Sequence, residues 1–166
     1  MLDAGSELRT VAETFQLEIV TPAKLMVKDV AEEAQIPGLS GYLGILPEHA
    51  PLITELAVGV ITYKASGATH TLSVAWGFAE VLPDKVTILA EAAERPQEID
   101  VARAQEAKNR AEALLKSNDP KVDYARAEDA LQRAETRLSV AKEKQNSSPF
   151  LAGMCSARPC PSHNDL

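Results

Sequence analysis

The sequence predicts an α+β fold: an N-terminal antiparallel β-sandwich followed by a C-terminal antiparallel α-helical hairpin. Three observations lead there. Between residues 15 and 92, short apolar runs alternate with turn signals, and nothing of helical period comes between them. From residue 97 the pattern changes to small apolar residues at steps of three and four. A single polar break then divides this second region in two. Many short strands without intervening helices make a sandwich or barrel, and two helices joined by a few residues pack as a hairpin.

Residues 1–13 are expected to be a flexible extension. They carry Asp3, Glu7 and Glu13 against Arg9, which suits neither the basic start and apolar run of a signal peptide nor an acid-poor transit peptide. The sandwich is assigned to 14–95. Its first strand, 15–20, alternates Phe15, Leu17 and Ile19 inward with Gln16 and Glu18 outward, and Pro22 ends it. Further strands are expected at 25–27, 30–36, 53–58, 60–63, 71–76, 78–82 and 86–90. Ser66-Gly67 and Pro83-Asp84 supply hairpin turns.

Between these runs, residues 37–52 read as a Gly- and Pro-rich loop that is unusually apolar, with Leu39, Tyr42, Leu43, Ile45 and Leu46. Such side chains plug one end of the sandwich or form a patch for a partner, and both roles fit different residues. His49 has no adjacent nucleophile or carboxylate pair and reads as a hydrogen-bonded loop histidine.

The hairpin is assigned to 96–145. Pro96 suits a helix start. Ala104, Ala107, Ala111 and Leu114 form the first stripe, and Ser117-Asn118-Asp119-Pro120 breaks it. Tyr124, Ala127, Leu131, Ala134, Leu138 and Ala141 form the second. Ala, Glu, Lys and Arg favour helix. Yet a buried Leu contributes about 1.5–3 kcal/mol where Ala offers about one methyl group. The seam is therefore expected to hold weakly, leaving room for two arrangements that a ligand biases. Residues 146–166, with Cys155, Cys160 and His163, read as a disordered tail. Three possible ligands with no fourth soft partner do not make a metal site, and a body without cysteine holds no disulfide.

The composition excludes several function classes. The net charge of −7 resides in residues 1–95, which hold 13 acidic and 6 basic side chains. With no basic stripe, neither nucleic acid nor anionic lipid is an expected partner. No apolar run approaches the roughly 18 residues of a membrane span. Phosphate-loop, nucleophile-elbow, zinc-protease and dinucleotide motifs are missing, so no catalytic residue is assigned and the chain does not read as an enzyme. What remains is anion chemistry. Arg103 and Arg110 lie two turns apart on one helix, Arg133 and Arg137 one turn apart on the next, and Arg126 precedes them. A guanidinium fork pairs with phosphate or carboxylate. The plainer reading is ion pairs at i,i+4, for which Glu106–Arg110 and Asp129–Arg133 have the spacing.

Four segments together resemble one family. Val20-Thr21-Pro22 closes the first strand. Gly44-Ile45-Leu46-Pro47-Glu48-His49-Ala50-Pro51-Leu52 matches a G-I-[LY]-P-x-H-x-P-L loop. Trp76-Gly77-Phe78-Ala79-Glu80-Val81 with Asp84-Lys85-Val86-Thr87-Ile88-Leu89-Ala90 matches a late strand pair, and Val122-Asp123-Tyr124-Ala125-Arg126-Ala127 opens the second helix. Over residues 15–144 the chain resembles the epsilon subunit of the F-type ATP synthase.

The resemblance implies a sandwich of about ten strands plus a helical hairpin, in the central rotor stalk of a proton-translocating synthase. It implies the gamma subunit and the c-ring as partners of the sandwich, with Gly41, Tyr42, Leu43, Gly44 and His49 facing the c-ring. The extended hairpin would reach the alpha/beta catalytic hexamer and inhibit ATP hydrolysis. Ile99-Asp100-Val101-Ala102-Arg103-Ala104 matches the [IL]-D-x-x-R-A motif of members that bind ATP. The nucleotide-binding set implied is Glu94, Ile99, Asp100, Arg103, Ala104, Arg110, Arg133 and Arg137. No cofactor is required on this reading, and ATP is a regulatory ligand. The setting implied is the cytoplasmic side of a bacterial plasma (inner) membrane, held there through the c-ring. A stand-alone nucleotide-sensing adaptor of the same architecture is the alternative.

Overall fold

The computed structural model describes residues 14–117 and 122–146. The expected extension at 1–13, the tail from 147 with its cysteines, and the Asn118-Asp119-Pro120 break lie outside them. Eight strands come first: β1 Phe15–Val20, β2 Leu25–Ala31, β3 Glu33–Gly38, β4 Gly41–Ile45, β5 Leu52–Leu56, β6 Gly59–Ala65, β7 Ala68–Val81 and β8 Lys85–Glu94. Helices α1 Val101–Lys116 and α2 Tyr124–Asn146 follow. The count is eight among the described residues, where the resemblance implies about ten.

Hydrogen bonding runs through the order β2-β1-β8-β7-β5-β3-β4, with β6 joining β3 and β7. All pairs are antiparallel except β1 and β8, which run parallel. The sheet folds over on itself around a single aliphatic core. Leu17 and Ile19 from β1, Ile36 from β3, Ile61 from β6 and Ile88 from β8 are completely buried in it. In β1, Phe15, Leu17 and Ile19 are buried and Gln16 is exposed, as the alternation predicts.

Three local features depart from the sequence expectation. The run 30–36 is split by a bend at Glu32, so that it serves two strands. The loop at 37–52 contains β4, which pairs with β3 from Ala34↔Ile45 to Gly38↔Gly41. Four of its five residues are Gly, Tyr, Leu and Gly, a composition that hides a strand among turn signals. The runs 71–76 and 78–82 are one long strand. The first half of β7 pairs with β6 as far as Val74, and the second half pairs with β5 from Gly77. Trp76 (φ 54°) and Gly77 (φ 132°) make the bend between the halves. A Cβ on Gly77 would lie 2.1 Å from the Leu89 carbonyl oxygen, so the strands meet here only because the side chain is missing. Ser66 and Gly67, both at positive φ, turn β6 into β7 as expected of a tight hairpin.

The helix also begins later than Pro96 suggests. Residues 96–98 form a turn, and Asp100 caps α1 by accepting the Arg103 backbone N–H at 3.0 Å. The buried faces are heptad-spaced alanines: Ala104 and Ala111 on α1, Ala127, Ala134 and Ala141 on α2. Leu114 and Tyr124, placed in the seam by periodicity, are exposed beside the interhelix connection. α2 rests on β6 and β7, while α1 packs chiefly on α2.

Candidate functional site

The β8–α1 connection brings the sheet and both helices together. Arg95 donates from its guanidinium to the Met26 carbonyl. Glu98 accepts from Lys24 Nζ at 2.6 Å and from the Arg95 backbone N–H at 3.2 Å. The Lys24 ammonium, then the Arg95 N–H, hold the Glu98 carboxyl below its ordinary value. Ile99 is buried with Val140 and Ala141 of α2 against Val60 of β6. The connection is thus tied at Arg95, Glu98 and Ile99, and with the Asp100 cap it fixes where α1 begins.

A cavity of about 350 Å³ opens beside it, within the range of small-molecule sites. Its walls are Glu94 from the end of β8, Glu98 and Asp100 from the connection, Arg103, Ala104, Ala107 and Arg110 from α1, and Arg137 from α2. Six of the eight residues in the nucleotide-binding set meet here: Glu94, Asp100, Arg103, Ala104, Arg110 and Arg137. Ile99 lies behind the wall as an apolar anchor. Arg133 is not in the lining. Its guanidinium carbon sits 4.8 Å from the centre of the Trp76 ring, and it borders a smaller neighbouring cleft that shares Glu94 and Arg137 with the main cavity.

Three carboxylates and three guanidinium groups line the cavity, so its formal charge is balanced. The balance is uneven in space. Arg137 is engaged by Glu94 through a fork of two 2.8 Å bonds, Nε to Oε2 and Nη2 to Oε1. Arg103 and Arg110 make no ion pair with another described residue. The α1 side of the cavity therefore presents cations, and the β8 side presents a paired carboxylate. Two guanidinium groups without an ion-pair partner among the described residues have the chemistry to pair with an anion. The i,i+4 pairs expected from spacing do not form. Glu106–Arg110 and Asp129–Arg133 are both missing among the described residues, the second because Arg133 turns to Trp76. Lys108 instead bridges Glu112 on its own helix and Glu135 on α2.

The loop residues divide as both readings allowed. Ile45 is buried and Leu43 packs against the core. Leu39, Tyr42 and Leu46 are exposed at 63%, 54% and 60%. Tyr42 is tethered, its hydroxyl accepting the Val60 N–H at 3.2 Å. Gly41 and Gly44 are exposed, and His49 is half-buried with Nδ1 2.8 Å from its neighbour's carbonyl, Ala50. This edge presents exposed apolar side chains on and beside a paired strand.

Two features escaped sequence reasoning. Glu98 and Lys24 are 74 residues apart, and nothing local signals their contact. The second face of α2, on which Gln132 donates to the Val58 carbonyl at 3.1 Å beside Arg133, Arg137 and the fully buried Val140, is visible only as an i, i+1, i+4, i+5, i+8 row of mixed polarity.

Comparison with known proteins gives a consistent result over both parts of the chain. The family described as ATP synthase, Delta/Epsilon chain, beta-sandwich domain matches residues 14–96. The family described as ATP synthase, Delta/Epsilon chain, long alpha-helix domain matches residues 97–142. The ATP synthase epsilon chain of Koribacter versatilis is 71% identical over 111 residues, 67% of this chain and 78% of the relative. That of Nitratidesulfovibrio vulgaris is 49% identical over 103 residues, 62% of this chain and 77% of the relative. Among solved structures, a chain of the Euglena gracilis mitochondrial ATP synthase (OSCP/F1/c-ring in rotational state 1) is similar with a TM-score of 0.69 at 24% identity, covering 80% of this chain and 83% of that one. At that identity the likeness is one of fold.

Proposed function

The chain belongs to the ATP synthase delta/epsilon chain family, as an epsilon chain, and from that premise we propose that its helical hairpin is an ATP-sensing latch on a rotor subunit. It is a non-catalytic subunit of ATP synthase. The observation that carries the latch reading is the cavity shared by sheet and both helices, with Arg103 and Arg110 facing it from one side and the Glu94–Arg137 fork from another. A polyanion seated there touches α1, α2 and the connection at once. Bound, it holds the hairpin down; lost, it removes a bridge that involves all three.

The energetics suit such a device. A ligand that binds only the docked form stabilises it by about 2.7 kcal/mol at 100 times Kd. The buried apolar contact of hairpin with sheet, Ile99, Val140 and Ala141 against Val60, is small enough to leave a gap of that order to be tipped. When the hairpin is released it extends along the gamma subunit toward the alpha/beta catalytic hexamer, where the basic residues of α2 oppose rotation in the hydrolysis direction. The exposed strip of Leu39, Tyr42 and Leu46, with Gly41 and Gly44, suits the c-ring, and the rest of the sandwich suits the gamma subunit. No helix among the described residues is long and apolar enough to cross a membrane, so on this reading attachment to the cytoplasmic face of a bacterial plasma membrane runs through the c-ring.

Calorimetric titration of the full chain with Mg-free ATP, beside Arg103→Ala, tests the latch. Saturable 1:1 binding that is lost in the variant is the expected result. No binding up to several millimolar, or binding unchanged in the variant, overturns ATP sensing by this cavity and leaves the family assignment as it stands.

A further inference from the structure

We propose that Trp76 and Arg133 form a catch that keeps α2 on the sheet when the cavity holds no ligand. The inference rests on the reading of the hairpin as the moving part, but not on ATP as its ligand. It starts from the weakness of the apolar contact: Ile99, Val140, Ala141 and the flank of Val60 are the whole buried cluster between connection, helix and sheet. Beyond that cluster, three polar contacts tie α2 to the sheet along one helix face. Gln132 donates to the Val58 carbonyl, Arg133 covers the Trp76 ring, and Arg137, one turn on, forks Glu94.

Trp76 is placed for this by the backbone. It stands in the bend of β7, with φ 54°, next to the glycine whose missing side chain lets β8 approach. Its ring is half-buried, so one face is left for a cation. Arg133 takes that face although Asp129 lies four residues before it on the same helix, at the spacing of a common surface ion pair. With Arg133 on the indole, the cavity beside it is lined by three arginines and not four. The catch therefore withholds a cation from the cavity, and an anion that recruits Arg133 opens the catch as it binds.

The test is amide hydrogen exchange on the full chain without nucleotide, comparing wild type with Trp76→Leu, Arg133→Gln and Arg133→Lys. Exchange along 124–142 is expected to speed up about two- to thirtyfold in Trp76→Leu and Arg133→Gln, the range that a cation–π contact supports. Strand protection should stay as in wild type, and Arg133→Lys, which keeps the cation, should fall between. Should Trp76→Leu disturb the bend and loosen the strands, the Arg133 pair decides alone. Unchanged α2 exchange in Arg133→Gln, or equal exchange in the Gln and Lys variants, overturns the catch. Because no ATP is present, a failed titration of the cavity and a failed catch are separate results.

Discussion

The sandwich and the hairpin are built from different materials, and the difference assigns them different roles. The sandwich core is Leu, Ile and Val from β1, β3, β6, β7 and β8, several with no exposed surface at all. The hairpin seam is Ala104, Ala111, Ala127, Ala134 and Ala141. Fully burying one Leu or Ile contributes about 1.5–3 kcal/mol, and one methyl about 0.8. The same number of buried positions thus holds the sandwich several times more firmly. Toward the sheet the hairpin has the small cluster of Ile99, Val140 and Ala141 against Val60, plus one fork, one amide and one cation–π contact, each polar contact worth about a kcal/mol or less when partly exposed. One region is a frame and the other is a part that the frame holds loosely.

The largest test of this contrast removes volume from the frame. Ile88→Ala, at a fully buried position of β8, should cost about 2–5 kcal/mol. The urea midpoint read from strand circular dichroism should fall accordingly. A smaller and more local loss is expected from Ala134→Leu. Ala134 faces α1 with almost no exposed surface, and added methylenes there force the helices apart at about 1–3 kcal/mol. Hydrogen exchange should show α1 losing protection while the strands keep theirs. If both regions lost protection together, the hairpin and sandwich would be one cooperative unit and the contrast would fail.

Breaking the fork should cost less still. Arg137 and Glu94 are each about a third exposed, so Arg137→Ala should weaken docking by about 1 kcal/mol after allowance for solvent screening. Faster exchange confined to α2 and its contact with β7 checks it. A loss as large as that of Ile88→Ala would show that the fork acts as a buried pair and not as a partly wetted one.

How much of this was legible in the sequence follows the same division. The sandwich was readable because alternation such as Phe15, Leu17, Ile19 depends only on one strand and one core. β4 was not, because its glycines carry the signal of a turn while its pairing with β3 is a long-range fact. The helices were readable from their alanine steps, but the start at Val101 was misplaced because Pro96 imitates a first helical residue while Asp100 does the capping. At the cavity, spacing by itself favoured plain ion pairs, and it was the family resemblance that put Glu94, Asp100, Arg103, Ala104, Arg110 and Arg137 into one set. Spacing could not place Arg133, since its partner Trp76 lies in the bend of a distant strand. It also suggested Asp129 as that partner, a pairing that local geometry permits and tertiary packing overrides.

The smallest expected effect concerns the tie between frame and hairpin at Glu98. The Lys24 ammonium holds its carboxyl below the ordinary glutamate value, with the Arg95 N–H assisting. The pKa in the folded chain is thus lower than in the unfolded chain. Such a group contributes stability above the unfolded value, and the contribution is lost as pH falls through the folded one. From pH 7 down to the ordinary glutamate range, about 4.3, this tie should therefore be insensitive to pH. In more acidic solution Glu98 takes up a proton and the connection loosens. Carbon-detected NMR titration of the Glu98 carboxyl should give a midpoint below that of an unpaired glutamate, moving up in Lys24→Ala. A midpoint that does not move would mean that Lys24 and Glu98 do not hold each other in solution. The anchoring of α1 would then rest on Ile99 and the Asp100 cap alone.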